Sequence, residues 1–226
     1  QDDALFGPRW IPRLREAVAD LSFLFTRGYA ADAASVLVGD HYQLAVRQRQ
    51  AVMRAACSDA ALAGRMARCV SWNALFGQTL YIDGYNILII TESMLSGGVL
   101  LRGRDGCIRD MASVHGSYRR VEETIGALCL IGGFLAECAP AYVRWFFDAP
   151  VSNSGRLKQM LEALVVEHGW PWTVELANGV DERLCTTQAI VATSDARILD
   201  QAQQWTDLIS PLLERMEGSR PVISLA

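Results

Sequence analysis

The sequence predicts an α/β protein with a parallel sheet, preceded by an all-helical module. Three observations lead there. Residues 73–226 alternate short apolar, strand-like runs with helix-period segments, as in strands joined by crossover helices. Residues 11–70 show only the i, i+3, i+4 periodicity of amphipathic helices. Three of the strand-like runs stop at an aspartate: 80–82 at Asp83, 143–147 at Asp148 and 189–194 at Asp195. The expected division is a helical module over 1–72 and an α/β domain over 73–226.

In the first part, residues 2–8 read as a loose lead-in. Leu14, Ala17, Val18, Leu21, Leu24 and Phe25 give one helix an apolar face, and Gly28 suits its C-terminal end. Asp32 is expected to cap a second helix that Gly39-Asp40 interrupts. A third, over 42–56, places Leu44, Ala51, Val52 and Ala55 inward and Arg47, Arg49, Gln50 and Arg54 outward. Ser58-Asp59 begins a fourth, to about residue 70.

The second part opens on the run 80–82, which stops at Asp83 and turns on Gly84. A helix over 86–95 follows. Asp105-Gly106 between short apolar runs predicts a hairpin. Arg102, Arg104, Arg109, Arg119 and Arg120 surround it, with His115 and Tyr118 interleaved. Five Arg so close together make this stretch a candidate nucleic-acid contact, against the plainer reading of a surface excursion paired with local acids.

A long helix over 121–138 carries Ile125, Leu128, Leu130, Ile131, Phe134 and Leu135 as buried-type residues. The second strand, 142–147, ends at Asp148. There Ser152, Asn153, Ser154 and Arg156 open a helix whose amide-rich end attracts anions, although capping alone accounts for such residues. A third strand over 172–176 precedes Asp181, and a fourth over 189–192 leads to Asp195. Residues 201–216 read as one apolar-faced helix, and 220–225 as a short edge strand.

Composition narrows the function classes. With 226 residues, 51% of them hydrophobic, the chain is globular. Its longest apolar run falls short of the roughly 20 residues that cross a bilayer. A cytoplasmic protein with no membrane partner is the expectation, and homo-oligomerisation is left open. Six cysteines without a C-x-x-C pair and three scattered histidines argue for buried free thiols and against structural zinc. Net charge is −4, yet residues 1–80 hold nine Arg against seven acids, so the acidic excess lies in the second part.

Strand-end carboxylates brought together in an open parallel sheet repel one another and favour binding a proton or a cation. Oxygen-only ligands suit Mg²⁺ or Mn²⁺. Asp83, Asp148 and Asp195 are the expected ligands, drawn within a few ångströms of one another, with Asp181 and then Asp110 completing the set. Asp105 and Glu92 are weaker candidates, and Asn86 is expected to position ligands. The plainer alternative is that each aspartate caps the helix after it.

The string Tyr81-Ile82-Asp83-Gly84-Tyr85-Asn86 resembles the opening motif of the NYN branch of the PIN-like nucleases. Phe146-Phe147-Asp148 looks like their second acidic strand end, and Val191-Ala192-Thr193-Ser194-Asp195 like their last acidic motif. The resemblance covers about residues 78–210. It implies a Rossmann-like PIN-like domain in which an acidic cluster holds divalent metal and cleaves RNA. The acidic pair usual on the central helix has no counterpart here, and Asp181 is the nearest substitute. The whole chain also resembles a domain-of-unknown-function family with a helical N-terminal module, through strings such as Val38-Gly39-Asp40, Arg104-Asp105-Gly106 and Pro150-Val151-Ser152-Asn153-Ser154-Gly155. The expected function is a Mg²⁺- or Mn²⁺-dependent endoribonuclease. The alternatives are a non-catalytic PIN-like module that binds RNA or protein, and a phosphatase-like site at Ser152 to Arg156.

Overall fold

The computed structural model describes residues 2–112, 122–216 and 222–226. In chain order, helices α1 (Asp2–Leu5), α2 (Ile11–Thr26), α3 (Ala31–His41), α4 (Val46–Ala55) and α5 (Asp59–Arg68) precede strand β1 (Thr79–Asp83) and α6 (Gly84–Leu95). Next come β2 (Leu100–Arg102), β3 (Ile108–Asp110), α7 (Thr124–Cys138), β4 (Tyr142–Asp148), α8 (Ser154–His168) and β5 (Trp172–Ala177). The chain continues through α9 (Val180–Thr186), β6 (Ile190–Ala192), α10 (Ala196–Gln201), β7 (Trp205–Thr206), α11 (Ile209–Glu214) and β8 (Ile223–Ser224). The fold is α/β, with a five-stranded parallel sheet and an N-terminal helical region.

Two compact units form: Gln1–Ala67 with Val99–Met111 and Arg220–Ala226, and Arg68–Gly98 with Ala112–Ser219. The hairpin and the C-terminal strand therefore group with the helices. The small sheet has the order β3-β2-β8, with β2 and β3 antiparallel and β8 parallel to β2. Leu101, Met111 and Leu225 join Leu14, Val18, Leu21 and Val52 in one core.

Several expectations for this unit change. The lead-in forms α1, held by two hydrogen bonds from Arg47 to Asp2 at 2.6 and 2.7 Å, with Phe6 buried behind it. Gly39 does not interrupt its helix; α3 runs through it to His41. A Cβ at Gly39 would lie 2.6 Å from the Arg49 guanidinium, so the glycine admits that side chain. The helix expected over 42–56 starts only at Val46, because Gln43 takes a left-handed φ of 52°. Its arginines are spent on this unit: Arg47 on Asp2, Arg49 on Asp40 and Arg54 on Asp110.

In the second unit the strand order is β5-β4-β1-β6-β7. From β1 the chain steps outward through β4 to β5, then returns past β1 to β6 and β7. Right-handed crossovers then place α6, α7 and α8 on one face and α9 and α10 on the other. Packing agrees: Tyr81, Phe146 and Val191 meet Val180, Leu184 and Ile198 on the second face, while Tyr85 of α6 meets the Phe147 ring on the first.

Gly84 is not a turn glycine. Helix α6 begins on it directly, and a Cβ there would lie 2.5 Å from both the Phe146 carbonyl oxygen and the Phe147 ring. Its lack of a side chain lets the start of α6 lie against β4. The helix expected over 201–216 is instead β7 followed by α11, whose N-terminal amides at Ile209 and Ser210 donate to Asp207. Trp205 and Thr206 are buried at the sheet edge, where their backbones pair with β6. Helix α9 is an element that the sequence reading leaves as loop. Ile125, expected inside, is exposed. Cys57, Cys107, Cys138 and Cys185 are buried free thiols, whereas Cys69 is exposed.

Candidate metal centre

The strand order reverses between β1 and β6, and in an open parallel sheet a ligand site forms outside the carboxyl ends of the strands at such a point. Asp83 is the last residue of β1, and Asp195 lies three residues beyond the end of β6. Asp148 ends β4, the neighbour of β1 on the other side. Asp181 sits in the first turn of α9. Three of the carboxylates thus come from the ends of the neighbouring strands β4, β1 and β6, and the fourth from α9.

Register sets their depths. Asp83 pairs with Phe146, so Asp148 lies two residues farther along its strand, about 7 Å beyond at the usual strand rise. Ile82 pairs with Ala192, which brings Thr193 level with Asp83 and Asp195 two residues past it. Because side chains alternate across a sheet, Asp83 and Asp148 share the face covered by α9 and α10. Asp83 forms a floor, and Asp148 and Asp195 stand higher. This stagger corrects the expectation of carboxylates a few ångströms apart. Among the described residues no group of three or more His, Cys, Asp or Glu lies close enough to hold an ion between them.

The aspartates differ in how they are satisfied. Asp83 is buried; its Oδ2 accepts a 2.7 Å hydrogen bond from the Thr193 hydroxyl, and the backbone amide of Asn86, in the first turn of α6, also favours the carboxylate. Burial pushes its carboxyl up to about 7, and the charges of Asp195 and Asp181 push the same way, while Thr193 and the Asn86 amide oppose the rise. Asp148 is raised by burial and by Asp181, against the Val180 amide. Asp181 is raised by burial and by Asp195, with Arg197 opposing. Capping accounts for Asp195, whose Oδ1 accepts the Arg197 and Ile198 amides, whereas Asp83 is held mainly by the Thr193 hydroxyl from the neighbouring strand's loop, with the Asn86 amide assisting. Mutual repulsion among desolvated carboxylates is what a cation relieves.

Other expected site residues have different occupations. Asn86 Oδ1 accepts the Ser194 amide at 2.7 Å and so braces the loop after β6. Ser154 is buried with its hydroxyl turned to the Ala149 carbonyl oxygen, while Ser152, Asn153 and Arg156 are exposed. Glu92 is buried and accepts the Thr124 hydroxyl at 2.6 Å. Asp110 belongs to the unit of helices, beside Arg54.

The Arg-rich stretch also serves its own unit. Arg109 is buried and holds Asp105 with two bonds, at 2.9 and 2.7 Å, and Arg65 binds the same carboxylate. Arg104 bonds to the Cys57 carbonyl and to Asp59, and Arg102 to the Gly106 carbonyl. As a set these arginines are packing and pairing groups, which corrects the expectation of a nucleic-acid loop for Arg109 above all. Arg119 and Arg120, with His115 and Tyr118, lie outside the described residues.

Sequence reasoning missed Thr193 and Arg197. A Thr two residues before a helix-capping Asp is the signal that could have found the first. Arg197 pairs with Asp181 at 3.3 Å and so ties the start of α10 to the start of α9.

The family model for a domain of unknown function, DUF5616, matches residues 72–211, more than half the chain. The chain belongs to that family. All four carboxylates fall within the DUF5616 region. A second model, described as a protein of unknown function (DUF434), matches residues 13–68, within α2 to α5. An uncharacterized protein of Methanocaldococcus jannaschii is 28% identical over 206 residues, spanning 90% of this chain and 98% of its own. No solved structure matches the chain. Among the described residues no helix is long and apolar enough to cross a membrane.

Proposed function

We propose that this chain is a Mg²⁺- or Mn²⁺-dependent nuclease acting on RNA, with its site at Asp83, Asp148, Asp181 and Asp195. The observation that carries the reading is Asp83: a buried carboxylate at the reversal point of the sheet, raised by burial and pressed by the negative charge of Asp195 and Asp181. The donors are oxygens alone, which fits a hard cation. Mg²⁺ commonly keeps several waters and takes only one or two carboxylates, so a staggered floor and rim suit it better than a closed cage would. Asp83 with Asp195 or Asp148 would hold it.

A divalent ion supplies Lewis acidity there, neutralising phosphodiester charge and lowering the pKa of water. The chain's part is to fix the oxygens. Thr193 orients Asp83, Asn86 fixes the β6–α10 loop, and the α10 amides hold Asp195 so that its Oδ2 is left for the ligand. Exposed Arg156, just past Asp148, supplies a phosphate contact.

The test is cleavage of single-stranded and structured RNA with Mn²⁺. The Asp83→Asn/Asp195→Asn double variant should lose cleavage while keeping its circular dichroism spectrum. Full activity in that variant sinks the nuclease reading. A second reading, a non-catalytic RNA- or protein-binding module, is favoured by the structural use of Asp195 in capping and of Asp181 in its ion pair. It predicts no cleavage with either metal, with salt-sensitive RNA binding retained if RNA is the partner.

A further inference from the structure

The exposed side of α2 carries a pattern that the metal site does not use. At 100° per residue, Glu16, Asp20, Phe23 and Arg27 fall within about 60° of one another on the helix surface. Phe23 is 63% exposed, and on α3 Val36 and Leu37 are each 57% exposed. Between the two helices lies a groove of about 300 Å³, lined by Asp20, Phe23, Leu24, Leu37, Val38 and His41. An apolar ring standing in water beside an apolar groove calls for an occupant.

The charges on the stripe say which occupant fits. Asp20 precedes Phe23 by three residues and Arg27 follows it by four, so acid and base flank the ring on opposite sides. If two α2 helices cross antiparallel about a twofold axis at Phe23, each residue faces the one equally far on the other side of position 23. Arg27 then faces residue 19 and lies beside Asp20 of the other copy, and Asp20 lies beside the other Arg27. The two Phe23 rings meet at the axis, each beside the other copy's groove, with Leu37 of α3 at its wall. A parallel crossing would instead set Asp20 against Asp20 and Arg27 against Arg27. Self-complementarity of this kind is the requirement of an isologous interface.

We propose that the α2–α3 face is the dimer interface of this chain, with a second copy seated antiparallel at Phe23. The interface lies wholly on helices of the first unit and is independent of the carboxylate site. Aromatic anchors near the centre of an interface carry most of its affinity, and flanking charges set its register.

Sedimentation velocity on the full chain over a wide concentration range tests this. The parent should be a dimer. Phe23→Glu and, separately, Leu37→Glu should each weaken self-association by more than roughly tenfold while keeping the parent's circular dichroism spectrum, since both side chains are exposed. Asp20→Arg and Arg27→Asp should each weaken the dimer, and the double exchange should recover it. A parent that stays monomeric, a Phe23→Glu variant that still dimerises, or an exchange variant as weak as its single members overturns the proposal.

Discussion

Thr193 Oγ1 donates to Asp83 Oδ2 at 2.7 Å, so the loop that leaves β6 holds the carboxylate that ends β1. The two residues are 110 apart in sequence and stand side by side because β1 and β6 pair in parallel. The bond orients a buried acid that the Asn86 amide of the following helix also steadies. Replacing Thr193 with Val leaves the shape and removes the donor. In Thr193→Val the Asp83 carboxyl should titrate higher still, and Mn²⁺ binding measured by calorimetry should weaken by about tenfold, the scale of an outer-shell deletion.

Asp83 also gives stability a definite pH dependence. Its carboxyl titrates near 7 in the folded chain, against 3.8 for the ordinary side chain. A raised carboxyl binds more protons folded than unfolded. Its contribution is therefore complete below pH 3.8, is lost as pH climbs towards 7, and changes little above. In chelator, melting temperature should fall across that window by more in the parent than in Asp83→Asn. At pH 8 the Asn variant should be the more stable, by up to about 4 kcal/mol. Equal pH profiles for the two chains would contradict the buried ionisation.

Saturating Mn²⁺ should raise the parent's melting temperature at pH 8, where Asp83 is ionised, and raise it little at pH 5, where a proton competes for the same oxygen. Asp83→Asn should show neither shift. Differential scanning fluorimetry at the two pH values reads this directly.

Gly84→Ala places a methyl 2.5 Å from the Phe146 carbonyl oxygen and the Phe147 ring, so the start of α6 must move off β4. A loss of about 1–3 kcal/mol in urea unfolding is expected, the usual cost of overpacking. Gly155→Ala, in the first turn of α8, meets nothing within 4 Å and should be neutral or stabilising by up to about 1 kcal/mol.

In the helical unit, Asp105 lies buried between Arg65 and Arg109, which hold its carboxyl below the usual range against the cost of burial. Asp105→Asn strips two buried guanidiniums of their counter-charge and should cost about 3–5 kcal/mol. A lowered carboxyl contributes stability above its unfolded pKa and loses it as pH falls, so the parent's advantage over this variant should shrink in acid. Chemical denaturation at pH 7 and at pH 3 measures both effects.

The sheet was legible wherever a strand had both length and contrast. Residues 142–147 are apolar but for Arg144 and end at a charge, and β4 is found there with one residue added. Asp83, Asp148, Asp181 and Asp195 were legible as strand-end or loop acids, since each breaks an apolar run or follows one. Depth was not legible, because only pairing partners such as Asp83 with Phe146 fix how far each acid projects. Strand β7 was missed because two residues, Trp205 and Thr206, carry no period, and their burial at the edge decides their state. The arginines of the hairpin misled for a related reason. Composition cannot tell a solvated Arg from Arg109, whose charge is met inside the fold by Asp105.

Anomalous scattering from a Mn²⁺-soaked crystal tests the central claim most directly. An ion coordinated by Asp83 and by Asp195 or Asp148, with water completing the shell, is the predicted result. Crystals that diffract with Mn²⁺ at high concentration and show no anomalous peak within bonding distance of Asp83 would contradict it.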